Sequence, residues 1–209
     1  MAPSFMERKR EELRQRGIDP ARLPPGQYVT DRFPVLHVGP VPTYDSVDAW
    51  TLTIAGDCIA APRELTWSEL LELPAVEITT DIHCVTKWSK LDVGWRGAAL
   101  ADVLGPSRPL DGARTLLARG EHGYEASMDY DEMRAHTAIV AYAFDGEPLA
   151  PEHGFPVRLV VPHLYFWKSV KWLRGLELWS DERTGFWEDN GYHEHGDPFR
   201  EERYWGDGG

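Results

Sequence analysis

The sequence predicts an α+β fold, a mixed sheet with short helices, and three observations carry that reading. Runs such as Val76 to Asp81 and Thr137 to Phe144 are rich in β-branched and apolar residues and read as strands. The helical signals between such runs are short, as in Thr66-Trp67-Ser68-Glu69. Strands and helices also fail to alternate in the regular βαβ order of a doubly wound sheet.

The elements follow in chain order. Phe5 to Arg16 is a charged run that suits a short surface helix, and Gly17, Pro20, Pro24, Pro25 and Gly26 then enforce an irregular segment. Phe33 to Pro42 is punctuated by Pro and Gly and reads as extended chain. Trp50 to Gly56 alternates as a half-buried strand does. Thr66 and Glu69 form a capping box that opens a helix through Leu71, stopped by Pro74. The strand Val76 to Asp81 delivers His83 and Cys84 at its end. Ala98 to Leu104 reads as a short helix closed by Gly105-Pro106. Arg114 to Ala118 and Tyr124 to Met128 read as strands, Asp129 to Arg134 as a helical turn, and Thr137 to Phe144 as a buried strand ending in the turn Asp145-Gly146. Val157 to Val161 and Val170 to Trp179 complete the strands. We divide the chain into an arm, residues 1–32, a central domain, 33–180, and an acidic tail, 181–209, expected to pack on the site.

Composition narrows the function classes. The 209 residues are 42% hydrophobic and 27% charged, and a chain of this size buries roughly 70% of its extended surface in one core. A net charge of −12 argues against a nucleic-acid partner and against anionic membrane surfaces. No run approaches the apolar length of a membrane span, so no membrane insertion is expected. The start of the chain is charged at once and lacks an export signal, which points to the cytoplasm. Two cysteines, Cys58 and Cys84, make no disulfide framework. The charge is uneven. Residues 181–209 hold nine acids and three bases, whereas residues 153–176 hold Arg158, Lys168, Lys171 and Arg174 and no acid.

Four segments are candidates for chemistry. Cys84 leaves a strand into a loop with Lys87 and Lys90 nearby, and cations favour the thiolate that binds soft metals. The same thiol reads equally well as a small buried hydrophobe, and for Cys58 that reading is the better one. His153 and Arg158 bracket the start of a strand, and the planar fork of arginine suits phosphate, although a surface ion pair is the usual fate of a lone arginine. Lys168-Ser169-Val170-Lys171 sits at a turn, where lysines, a hydroxyl and backbone N–H groups suit an anion better than a merely solvated edge. His193 and His195 form a His-x-His pair that needs a third ligand before it binds zinc, and histidines on a polar tail explain it more simply.

Together these segments resemble the sulfite oxidase superfamily of molybdenum enzymes, over roughly residues 33 to 195. The block His153-Gly154-Phe155-Pro156-Val157-Arg158, with Lys168-Ser169-Val170-Lys171-Trp172, is similar to the family's binding segment for the pterin and phosphate of molybdopterin. Cys84-Val85-Thr86-Lys87-Trp88-Ser89 resembles the segment whose cysteine ligates molybdenum. Leu36-His37-Val38-Gly39-Pro40 is similar to an N-terminal cofactor contact, and Trp187 to Tyr192 to a stretch ending in an active-site tyrosine.

The resemblance implies a sulfite-oxidase-type molybdopterin-binding domain and an oxidoreductase with one molybdenum on molybdopterin. It implies a thiolate ligand from Cys84 and cofactor contacts from His37, Gly39, His153, Arg158, Lys168, Ser169, Val170 and Lys171. Tyr192 and Lys87 are the candidates for contact with substrate, Lys87 in place of the arginine that follows the cysteine in animal and plant sulfite oxidases. The implied reaction is two-electron oxygen-atom transfer on a small sulfur or similar oxo-acceptor compound of the sulfite or sulfoxide class, served by an external electron carrier. Two alternatives stand beside it: a zinc site using Cys84, His83 and His193 or His195, and a non-catalytic anion-binding module.

Overall fold

The computed structural model describes residues 5–207, in which two sheets share a core and short helices fill the connections. Helix α1, Phe5–Gln15, is the charged N-terminal run. Strand β1, Tyr28–Val29, then runs parallel to the start of β5, Trp88–Ala99. β5 is the spine of a six-stranded sheet. It pairs antiparallel with β4, Ala75–His83, and with β8, Ile139–Phe144. β8 carries β10, Arg158–Val160, and the two-residue β9, Glu147–Pro148.

The second sheet has five strands in the order β3, β2, β11, β6, β7. These are β3, Arg63–Thr66, β2, Thr51–Ala55, β11, Leu173–Trp179, β6, Thr115–Gly120, and β7, Glu125–Asp129. β11 lies parallel to β2 and antiparallel to β6, so the strand in which the acid-free segment ends sits at the centre of this sheet. Alternation explains β2: Leu52 and Ile54 are buried and Thr53 is exposed.

The helices are as short as their caps dictate. Helix α2, Trp67–Glu72, carries the complete capping box of Thr66 and Glu69. Helix α3 is Leu100–Leu104, and α4, Tyr130–Ala135, starts on Asp129, whose carboxylate accepts from the Glu132 N–H at 2.8 Å. The last helix, α5, is the single turn Phe186–Asp189.

Two expectations shift, and one strand is unforeseen. The helix read from Ala98 begins two residues later, because Ala98 and Ala99 pair with Val140 and Ile139 as the end of β5. The twelve-residue β5 is not among the strands expected from sequence, although Val93 and Trp95 point inward and alternate with Gly94 and the exposed Arg96. The strand read from Val170 begins only at Leu173. Residues 169–172 instead form a loop, with Trp172 in the left-handed region at φ 52°. That loop is tied to β10 by Leu159 N–H to the Val170 carbonyl at 2.8 Å.

One apolar cluster, built around Trp50, Leu52, Leu116, Leu159 and Leu176, fills the space against the five-stranded sheet. A second, with Cys84, Trp88, Trp95, Tyr165 and Trp167, lies beneath the cleft described next. Among the described residues no helix is long and apolar enough to cross a membrane.

Candidate active site

Cys84 directly follows β4, and its carbonyl accepts from the Lys87 N–H at 2.9 Å to close the turn back into β5. Lys87 takes the left-handed position of that turn, φ 77°. The turn is held from outside the hairpin as well. Gln27 of the arm donates to the Cys84 carbonyl at 3.0 Å, and Arg203 of the tail donates to the Val85 carbonyl at 2.8 Å. The thiol is 7% exposed, lies 3.1 Å from Thr86 Oγ1, and is pushed up in pKa by burial.

It opens on a cleft of about 320 Å³ whose walls include Phe33, His37, Cys84, His153, Arg158, Ser169, Lys171, Trp172 and Tyr192. Arg158 is 1% exposed, and its guanidinium donates to the His153 carbonyl at 2.9 Å and the Ser169 carbonyl at 2.8 Å. It stacks 4.3 Å from the centroid of Phe166. No carboxylate pairs with it among the described residues, and burial pulls its pKa down to about 9.

Lys171 stands close by. Its ammonium donates to the Glu152 carbonyl at 2.8 Å, and burial and then Arg158 lower it to about 7. His153 is pushed to about 4, first by burial and next by Arg158, and Phe33 stacks on its ring at 3.9 Å. Gly154 permits this crowding. It has φ 114°, and an added Cβ would lie 3.1 Å from the Arg158 Cβ and 3.3 Å from that of Lys171.

The cleft thus joins a buried sulfur to cations that form no ion pair with a carboxylate among the described residues. Buried charge is retained only where something compensates it, so this donor set fits a bound anion. The sulfur fits a soft metal. Aromatic walls from Phe33, Trp88, Phe166, Trp167, Trp172 and Trp187 fit a flat organic group.

The structure brings Cys84, Tyr192, His37, His153, Arg158, Ser169 and Lys171 to this cleft and leaves four sequence candidates outside its walls. Lys87 is exposed on its turn. Gly39 lies behind His37, its carbonyl bonded to the His37 ring at 2.8 Å. Val170 is buried in the first apolar cluster. Lys168 is fully buried, but its ammonium is taken by Glu188, the Glu194 carbonyl and, at 2.7 Å, the Ser127 carbonyl. Glu188, twenty residues on, pairs with that side chain. The zinc alternative is corrected. His83 turns to Ser89 Oγ at 2.8 Å, and Cys84, His83, His193 and His195 do not converge as metal donors. Phe33, Tyr124, Phe166 and Trp167 are walls that sequence reasoning missed; the aromatic run 165–167 beside the lysines was the available signal.

Comparison with known proteins agrees with this geometry. The oxidoreductase molybdopterin binding domain family matches residues 38–187. The chain is 44% identical over 183 residues to the uncharacterized oxidoreductase YuiH of Bacillus subtilis (strain 168), covering 88% of this chain and 92% of that protein. It is 29% identical over 202 residues to sulfite oxidase of Arabidopsis thaliana, covering 79% of this chain and 51% of the relative, so it spans about half of that enzyme's length. The crystal structure of the sulfane dehydrogenase SoxCD from Paracoccus pantotrophus shares the fold, with a TM-score of 0.60 at 23% identity over 66% of this chain and 40% of that one. The chain therefore belongs to the oxidoreductase molybdopterin binding domain family and is an oxidoreductase whose cofactor is molybdenum on molybdopterin.

Proposed function

We propose that the enzyme carries out oxygen-atom transfer on a small sulfur or similar oxo-acceptor compound of the sulfite or sulfoxide class, with Cys84 as the thiolate ligand. The observation that carries the reading is the convergence of a buried thiol with Arg158 and Lys171, which pair with no carboxylate among the described residues, in one aromatic cleft. When bound, the molybdenum cofactor supplies two-electron redox chemistry, with water as source or sink of the oxygen atom. The residues of the chain do the rest. Arg158, Lys171, His153 and Ser169, which line the cleft, hold the anionic end of the cofactor. His37 meets it from the opposite wall. The turn at Cys84, fixed by Gln27 and Arg203, presents the sulfur without needing to reorganise. The Tyr192 hydroxyl, kept protonated by burial, is a donor for substrate oxygen. Electrons leave or enter through an external carrier. The name of the sulfite oxidase relative supports the sulfur class.

The test uses protein from a host competent in molybdopterin synthesis. Molybdenum, pterin fluorescence and turnover of sulfite, sulfoxides and N-oxides with an artificial electron carrier are measured on the parent and on Cys84→Ser. The expected result is turnover of a sulfur compound by the parent and its loss in the variant. Full activity in Cys84→Ser overturns the thiolate role. Turnover confined to N-oxides by a molybdenum-loaded parent overturns the sulfur class.

A further inference from the structure

A second group of metal donors lies outside the cleft. Glu132 is on α4, His136 follows that helix one turn later, and His163 enters from the loop after β10. One donor atom from each residue lies within 4.8 Å of the other two. The spacing Glu132 to His136 is i,i+4, which sets both side chains on one face.

Three details point to a ligand here. Glu132 Oε1 is 3.5 Å from His163 Nε2, close to the roughly 3.4 Å edge of a tetrahedron drawn around zinc with bonds of about 2.0–2.1 Å. That contact is no hydrogen bond, for both ring nitrogens of His163 are shielded from solvent and lack a partner among the described residues. An imidazole nitrogen left in that state costs free energy, and a metal ion accepts its lone pair. His136 Nδ1, in turn, lies 3.1 Å from the Glu132 carbonyl. Donation to that carbonyl fixes the tautomer and leaves the Nε2 lone pair available, the arrangement that orients metal-bound imidazoles. The His136 and His163 rings stack with centroids 4.2 Å apart.

We propose that Glu132, His136 and His163 bind a divalent transition-metal ion of the zinc type. The fourth position falls to water, while His195 Nε2 donates to the same Glu132 oxygen at 2.8 Å and orients it from outside. The donors are nitrogen and oxygen, so the site selects a borderline ion and is chemically distinct from the thiol in the cleft. Its role is that of a clip. It ties α4 to the segment leading to Ser169 and Lys171 and, through His195, to the C-terminal segment that carries Tyr192.

The test is equilibrium dialysis of the molybdenum-loaded enzyme against zinc, with cobalt(II) as the spectroscopic probe. The parent should retain about one zinc per chain and give the visible bands of tetrahedral cobalt. His136→Ala, at an exposed position that spares the core, and His163→Ala should bind at least about tenfold more weakly, molybdenum content being unchanged. Cys84→Ser should keep the zinc. No zinc on the parent, equal retention in both histidine variants, or loss in Cys84→Ser overturns the proposal.

Discussion

At the scale of single residues, Lys171 has the most informative environment. Its ammonium is surrounded by a backbone carbonyl, an aromatic face and a second cation, and burial lowers its pKa to about 7. In the cofactor-free protein the unfolded chain therefore holds more protons than the folded one between about pH 7 and 10.5, and stability gains from rising pH across that window. Below it the cost of the buried charge is present in full. Lys171→Met should consequently be more stable than the parent near about pH 6, with the advantage shrinking towards about pH 10. The same variant should retain less molybdopterin. Denaturation midpoints across pH, with molybdenum analysis, check both. A stability difference that is constant with pH would show that Lys171 does not titrate in this window.

At the scale of elements, β5 decides whether the site is built, because its first residues fix the Cys84 turn and its last pair with β8. Its weak point is Gly97. A Cβ there would lie 2.2 Å from the Val140 carbonyl oxygen and 2.7 Å from the Ala141 Cα, both backbone atoms that cannot yield without opening the ladder. Gly97→Ala should cost about 3 kcal/mol or more. Gly94→Ala, whose new atom meets the Asp145 carboxylate at 3.1 Å, should cost distinctly less. Urea unfolding of the two variants compares them, and a Gly97→Ala loss within about 0.5 kcal/mol of the parent would contradict the steric account. The same glycines explain what the sequence could not disclose. Residues such as Leu52 and Ile54 announce their strand through alternation, and Thr66 with Glu69 announces a helix through a local bond. β5 has only the short alternation of Val93 and Trp95, and its glycine Gly97 answers a close approach to β8 that no local pattern announces. The candidate site divides likewise. His153, Arg158 and Lys171 were legible as an acid-free basic block, whereas the diversion of Lys168 to Glu188 is a tertiary event invisible to spacing.

At the scale of the whole molecule, the acidic C-terminal segment sorts the basic block into two kinds of cation. Glu188 from this segment takes Lys168, and Glu121 of the turn after β6 takes Arg174 at 3.4 Å, which leaves Arg158 and Lys171 at the cleft without an ion-pair partner among the described residues. The segment also accepts the Tyr165 N–H on the Gly196 carbonyl at 2.8 Å and sends Arg203 to the Cys84 turn. The Lys168–Glu188 pair is thus the buried anchor that fixes tail to cleft, both side chains being 0% exposed. Breaking such a pair strands one charge, so Glu188→Gln or Lys168→Met alone should cost about 3–5 kcal/mol. Replacing both, as Lys168→Met with Glu188→Met, removes two desolvation penalties together and should recover most of that loss. The double variant also tests the division of labour. If Lys168 serves only the anchor, the refolded double variant keeps its molybdenum while Lys171→Met does not. A double variant that is stable yet free of molybdenum would return Lys168 to the cofactor.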